Sequence, residues 1–413
     1  MRILDAQTSR RRFLMGGVAV AGTGLWEFLS PSAVTASPTG GFGSLGSLGS
    51  AGSSAAERVE RELLAAMQEL HEAEGGPPAV VVAIGRRTQD ALYAVGTADI
   101  NRRAQPTARD HMRLASVSKA FSGAAALALV TDGTLSLADN IGERLSSEAL
   151  PGQWSAITLE QLLGHTSGIP DFSATSGFLT AFQSSLQHAP PPRALLDFIT
   201  DPTLKFEPGT AFAYSNSDNI LVGLMIEAAT GRPYEAVLRD RVCRRRGLPQ
   251  TTLPAGSAIP EPYLHGYDTT TPDEPVDVST LFAAGWAWAA GGVVSTPMDT
   301  LRFVRSYVRG DGFDQRSRRA QFRFRPGSSE PPGPGTNSAG LALFRYDTEY
   351  GRVFGHTGNT SGYTQFAAAT EDGACGVVVN ATTQLSPGRD ARTDALFAKL
   401  RAVYERAVGT ALV

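Results

Sequence analysis

The chain has 413 residues, 42% of them hydrophobic and 19% charged, with a formal net charge of −3. That length holds one large domain or two of ordinary size, and the apolar content is enough for a substantial core. The charge balance excludes the concentrated basic surface of a nucleic-acid-binding protein, so no nucleic-acid partner is expected.

The first segment reads as an address. Ser9-Arg10-Arg11-Arg12-Phe13-Leu14 precedes an apolar, glycine-rich stretch from Met15 to Trp26. A basic start, a short apolar run and then small residues are the layout of an export signal, here assigned to residues 1–36. Paired arginines followed by Phe-Leu point to the twin-arginine route, hence to a secreted, extracellular or periplasmic protein. The run falls short of the roughly 20 apolar residues a spanning helix needs. Val34-Thr35-Ala36 suits a signal peptidase, so cleavage after Ala36 is expected, with an uncleaved anchor as the alternative. Residues 37–55 are almost all Gly, Ser, Ala, Leu and Pro, which reads as a flexible linker, and the folded domain is expected over 56–410.

Within that domain, Val59, Leu63, Leu64, Met67 and Leu70 recur at helical spacing and predict a helix over 56–74, stopped at Gly75-Gly76-Pro77-Pro78. β-Branched runs at 79–84 and 91–95 predict a hairpin. Residues 120–132 are rich in Ala and Leu and end at Gly133, which reads as a helix with a glycine stop. Further helices are predicted at 159–163, 193–199, 219–230, 234–241 and 298–308. Residues 310–338 mix arginines with Pro, Gly and Ser and read as one long surface loop. Strands follow at 340–346, 364–370 and 376–381, and a helix at 391–408 closes the chain. Strands at both ends with helices between them predict an α+β fold. One antiparallel sheet is built from both chain ends and flanked by the terminal helices, with a mostly helical subdomain inserted.

The basic residues are unevenly chosen. Of 37 Lys plus Arg, only Lys119, Lys205 and Lys399 are lysines. Arginine cannot act as a proton acceptor, so a lysine retained in such a chain draws attention. Lys119 closes Ser116-Val117-Ser118-Lys119. Residues three apart on a helix share a face. A serine hydroxyl needs a neighbour to take its proton, and a desolvated lysine can do so. Two more elements bear on the same chemistry. Tyr214-Ser215-Asn216 offers a phenol that can pass a proton and an amide that can fix a lysine and a substrate carbonyl. His356-Thr357-Gly358 follows the apolar Val353-Phe354. Its glycine is expected to let a substrate lie along a strand edge, with a backbone N–H just beyond completing an oxyanion hole. Cys243 and Cys375 lie in no metal-ligand spacing. They read as two buried thiols or as one long-range disulfide, and no metal or other cofactor is expected.

S-x-x-K, then Y-x-N about a hundred residues on, then H-x-G late in the chain resembles the serine β-lactamase and D-alanyl-D-alanine carboxypeptidase family. The resemblance is closest to class C β-lactamases and to the actinomycete carboxypeptidases, esterases and D-aminopeptidases allied to them. It extends to Met112-Arg113-Leu114-Ala115, to the segment from Thr158 to Pro170, and to the segment from Trp286 to Ser295, covering residues 57–405. It implies that Ser116 is acylated, that Lys119 and Tyr214 carry its proton to the leaving group, and that Asn216 holds Lys119 and the substrate amide. His356 stands where β-lactamases of this type carry lysine. Thr357 would meet the substrate carboxylate or backbone, and the N–H groups of Ser116 and Asn359 would form the oxyanion hole. Trp286 would wall the acyl pocket or serve as core. His165 reads as structural.

The carboxypeptidases also use an arginine on the strand before H-x-G to hold a terminal carboxylate. Arg345 is the candidate here, with its register open. The resulting expectation is an exported, monomeric, D-Ala-D-Ala carboxypeptidase-like hydrolase. It would act on a peptidoglycan stem peptide, D-peptide or ester, with β-lactam antibiotics as covalent ligands. An esterase, D-aminopeptidase or β-lactamase of the same family, and a non-catalytic penicillin-binding module, are the alternatives.

Overall fold

The computed structural model describes residues 55–87, 89–146, 148–270, 274–326, 328 and 331–413. The export signal and all but the last residue of the expected linker lie outside the described residues. Ala55, one residue before the expected start of the domain, is already helical.

A seven-stranded sheet forms the centre. Its strands are β1 (Ala79–Arg86), β2 (Gln89–Gly96), β3 (Thr336–Ala339), β4 (Phe344–Thr348), β5 (Gly351–Thr360), β6 (Tyr363–Ala369) and β7 (Cys375–Ala381). They lie in the order β2-β1-β7-β6-β5-β4-β3, and every pairing is antiparallel. β1 explains its own composition. Val80, Val82 and Ile84 enter one apolar cluster and Val81 and Ala83 the other. A strand covered on both faces reads as an unbroken apolar run rather than an alternating one.

The terminal helices cover the first face. α1 (Ala55–Glu72) buries Val59, Leu63, Met67 and Leu70, one stripe of an amphipathic helix. The C-terminal helix, Ala391–Leu412, buries Leu396, Leu400, Val403 and Tyr404 against the same strands. Each such side chain contributes about 1.5–3 kcal/mol by leaving water.

The second face carries α2 (Ser118–Thr131), with α3 (Leu159–Leu163), α4 (Asn216–Thr230) and α5 (Pro297–Arg309) around it; the C-terminal helix is α6. α2 is buried on every side from Ser118 to Leu129, which its Ala-rich sequence permits by letting neighbours approach closely. Met112-Arg113 pairs with Val294-Ser295 and ties the entry of α2 to the chain that follows Trp286.

Several elements differ from expectation. Residues 310–338 are not one loop: they hold the helix Gln315–Gln321 and the edge strand β3. The strand expected at 340–346 begins only at Phe344, because Gly340–Leu343 form the turn that joins β3 to β4. Residues 193–199 form a 3-10 helix, Pro192–Phe198, and the helix at 234–241 widens into a π-helical turn after Val237. Both cysteines are free.

Candidate active site

Ser116 sits in the tight turn Ala115–Val117 that opens into α2. Ala115 has φ +48°, a left-handed conformation that L side chains rarely adopt. Such strain persists only where the surroundings hold it. Here the hydrogen bond from Val117 N–H to Leu114 O helps close the turn.

One helical turn on, Lys119 is fully buried. Its Nζ lies 2.7 Å from Asn216 Oδ1, 2.8 Å from Ala290 O and 3.2 Å from Ser116 Oγ. The first two oxygens can only accept hydrogen bonds, whereas the hydroxyl can also donate. A neutral amine fits this set completely: two N–H bonds go to the obligate acceptors, and the lone pair faces Ser116. Burial drives Lys119 down to about 7, against the opposing pull of Asp171 and Asp218.

Asn216 is the first residue of α4. Its Nδ2 donates to Asp171 Oδ2 at 3.0 Å and to Ser173 Oγ at 2.9 Å, so Oδ1 must face Lys119. Asp171 also accepts from Asn216 N–H at 3.2 Å and from the backbone and hydroxyl of Ser173. The Tyr214 ring lies 4.8 Å from Lys119 Nζ. Burial holds its phenol well above the ordinary value, with the Ser116 hydroxyl as the main opposing influence. Tyr214 is therefore a neutral phenol, not a phenolate, with its buried hydroxyl near Ser116 but outside hydrogen-bond geometry.

His165 backs this ring, with centroids 4.5 Å apart. Its Nδ1 is 3.1 Å from Asp218 Oδ2 and receives the Ser215 N–H at 3.3 Å. Burial and the Lys119 charge hold it near 3, hence neutral, and burial raises Asp218 well above the carboxylate range. His165 thus braces the site from behind.

The third wall is the end of β5. β4 pairs with β5 only as far as Gly355, so the stretch from His356 to Thr360 has no β4 partner on that edge. His356 is buried and held near 3 by burial and by Lys119. Its Nδ1 lies 2.5 Å from Thr357 O, a pure acceptor, so Nδ1 carries the proton and Nε2 is left as a buried lone pair without a described partner.

Thr357 and Gly358 follow on the same strand. A Cβ on Gly358 would stand 2.3 Å from Leu114 O and 3.2 Å from Ser116 N. The glycine makes room for the chain's own serine turn. Thr357 is buried, with no described partner for its Oγ1, and is not among the residues that line the cavity. Asn359, Thr360 and Ser361 line the cavity instead. The Asn359 side chain is committed to Leu385 O at 2.8 Å and Ser386 Oγ at 2.6 Å, which leaves its backbone for the site.

The cavity over Ser116 has a volume of about 60 Å³ and is walled by Phe172, Phe178, Phe182, Phe282 and Trp286, with Asn216 at its edge. No Asp, Glu, Lys, Arg or His lines it among the described residues. Trp286 is therefore both wall and core, being 4% exposed. Arg345 is not brought to this site. In register with Phe354, it pairs with Asp347 at 2.9 Å and lies over the Phe324 ring. A wider groove elsewhere gathers six arginines, four of them (Arg241, Arg302, Arg305 and Arg309) paired with Asp132, Asp299, Asp90 and Asp311. Among the described residues no group of His, Cys, Asp and Glu is disposed to hold a metal ion.

Asp171, Ser173 and the phenylalanine walls join the site without a motif that marks them in the sequence. Asp171-x-Ser173 carries a local turn signal, since Asp171 caps the turn Phe172–Ala174. Nothing local tells that the same carboxylate orients Asn216.

A protein-family model described as Beta-lactamase matches residues 56–402. Penicillin-binding protein 4* of Bacillus subtilis (strain 168) is 26% identical over 293 residues, which are 67% of this chain and 62% of that protein, so the chain spans less than two thirds of that relative. A D-stereospecific amidohydrolase from a Streptomyces species superposes with a TM-score of 0.70 at 25% identity, over 81% of this chain and 97% of that one. The D-amino acid amidase of Ochrobactrum anthropi SV3, complexed with D-phenylalanine, gives 0.73 at 23%, over 84% and 98%. With the family pattern matched across most of its length and the same fold in these structures, the chain belongs to the β-lactamase family of serine hydrolases.

Proposed function

We propose that this protein is an exported hydrolase that works through an acyl-enzyme on Ser116, cleaving amides or esters. The observation that carries the reading is the Lys119 amine, 3.2 Å from Ser116 Oγ with its other two neighbours restricted to accepting hydrogen bonds. In the reaction, Lys119 takes the Ser116 proton as Oγ bonds to the carbonyl carbon. The Tyr214 phenol gives its proton to the departing nitrogen or oxygen and recovers one from Lys119. Water then attacks the ester, and the same groups take its proton and pass it to Ser116 Oγ as the acid departs. Backbone N–H groups of Ser116 and Asn359 are the donors suited to the oxyanion.

Among the finer readings, an amidase or esterase is favoured over a D-Ala-D-Ala carboxypeptidase. A carboxypeptidase needs a cation for the free carboxylate, and Arg345 is committed to Asp347 outside the cavity. A neutral His356 also supplies no cation where β-lactamases of this type carry lysine. The likeness to a D-stereospecific amidohydrolase supports the amide reading. The test is labelling with a fluorescent penicillin, read by intact mass. One adduct is expected on the wild type and none on Ser116→Ala; a labelled Ala variant refutes the nucleophile.

A further inference from the structure

Resting on that acyl-enzyme reading, we infer that the Ser116 cavity receives an uncharged acyl group ending in an aromatic ring, so that the preferred substrates are amides or esters of arylacetic-type acids. Shape carries the first part. Phe178 and Phe182 meet Trp286 edge-on with centroids 5.6 and 5.5 Å apart, and Phe182 meets Phe282 at 5.5 Å. These are the spacings at which aromatic edges and faces attract, so the walls form one packed aromatic cluster beside Ser116.

The walls are held before any ligand arrives. Trp286 Nε1 donates to Ser185 O at 3.1 Å. The Phe282 ring rests 4.6 Å from the Arg113 guanidinium, which is spent on the carbonyls of Ser257, Ser279 and Phe282. The volume of about 60 Å³ compares with roughly 10–15 Å³ for one water measured in the same way. That is room for a few waters and less than half of the roughly 150 Å³ that takes a benzene whole, so a ring would enter edge-first and stay partly outside the walls.

Charge carries the second part. A carboxylate or ammonium placed among these walls loses its hydration and meets no ionised partner. Succinyl-type acids and D-aminoacyl groups with a free amine are therefore poor acyl donors, whereas a neutral arylacetyl group gains by leaving water.

The test compares kcat/KM for the 4-nitrophenyl esters of acetic, phenylacetic, cyclohexylacetic and succinic acids, each normalised to its hydroxide rate. Phenylacetate is expected to exceed acetate at least tenfold, about 1.4 kcal/mol, with cyclohexylacetate behind it and monosuccinate below acetate. Phe182→Leu should bring the phenylacetate-to-acetate ratio toward one; the ratio is internal to each preparation, so partial misfolding cancels. A wild-type ratio near one, a preference for succinate, or an unchanged ratio in Phe182→Leu overturns the proposal. Cyclohexylacetate equal to or better than phenylacetate overturns its aromatic part. The underlying reading fails separately, if Ser116→Ala retains ester turnover or no acyl adduct forms on Ser116.

Discussion

If Lys119 is the base, its protonation governs the rate. With Lys119 near 7, about one molecule in ten holds the free amine at pH 6 and about nine in ten at pH 8. Raising the pH removes a proton from the ammonium, so activity must rise with pH. The kcat/KM for an uncharged substrate should climb roughly tenfold between pH 6 and pH 8 and then level. His356 and His165, held near 3, stay neutral throughout and add no inflection. Lys119→Arg is the paired perturbation. It keeps a cation but cannot accept a proton, so kcat/KM should fall by about 10²–10⁴, the usual worth of a positioned general base, and the rise with pH should vanish. The assay is initial-rate hydrolysis from pH 5.5 to 8.5 in constant-ionic-strength buffer, with spontaneous hydrolysis subtracted. A flat profile, or an Arg variant that retains activity with the same inflection, refutes the reasoning.

Asp171→Asn should lower kcat/KM by roughly 10–100-fold, as expected for loss of a group that orients an active-site side chain. It removes a negative charge that raises Lys119, so the pH inflection should also move below 7; a merely structural loss would leave the inflection in place. Arg345→Ala should change kcat/KM for uncharged substrates less than about twofold, since a side chain outside the cavity contributes little to the transition state. A tenfold loss confined to peptides with a free terminal carboxylate would restore the carboxypeptidase reading. Gly358→Ala puts a methyl 2.3 Å from a backbone oxygen, and a melting curve should show a loss of about 1–3 kcal/mol, typical of overpacking, together with reduced turnover.

Lys119 also links stability to pH. Its folded value lies below the ordinary 10.5, so between about 7 and 10.5 the unfolded chain binds a proton the folded one lacks. Stability from this group therefore rises with pH across that window. Cys243, pushed from 9.0 up to about 12 by burial, acts in the opposite sense at its upper end. Melting temperatures between pH 7 and 8.5 isolate the lysine. They should rise in the wild type relative to Lys119→Met, and equal slopes would count against the buried amine.

Local patterns were legible in the sequence wherever one residue's surroundings lie close along the chain. The stripe from Val59 to Leu70 and the β-branched run of β1 announce themselves by period alone. Ser116 and Lys119 share one helical turn, so their pairing is also local. β3 was hidden because Thr336-Asn337-Ser338-Ala339 has almost no apolar content: it is an edge strand whose pairing comes from β4, not from its own residues. Gly358 shows its demand for space in the sequence but not the neighbour that imposes it, because Leu114 is far away along the chain. The phenylalanine walls come from two segments, Phe172 to Phe182 and Phe282 to Trp286, whose apposition only the folded chain defines.

The three lysines show why the pair matters physically. Lys399 reaches Glu69 at the surface, where arginine would serve equally well. Lys119 alone lies on a helix buried on every side, between the sheet and α4. A permanently charged guanidinium there would face a desolvation penalty of several kcal/mol with only neutral oxygens in reach. An amine escapes most of it by releasing its proton, and that release is the chemistry Ser116 requires. The packing that makes α2 a core helix is thus also what makes its lysine a base near neutral pH, so substitutions that admit water around α2 should raise Lys119 and move the activity profile toward alkaline pH.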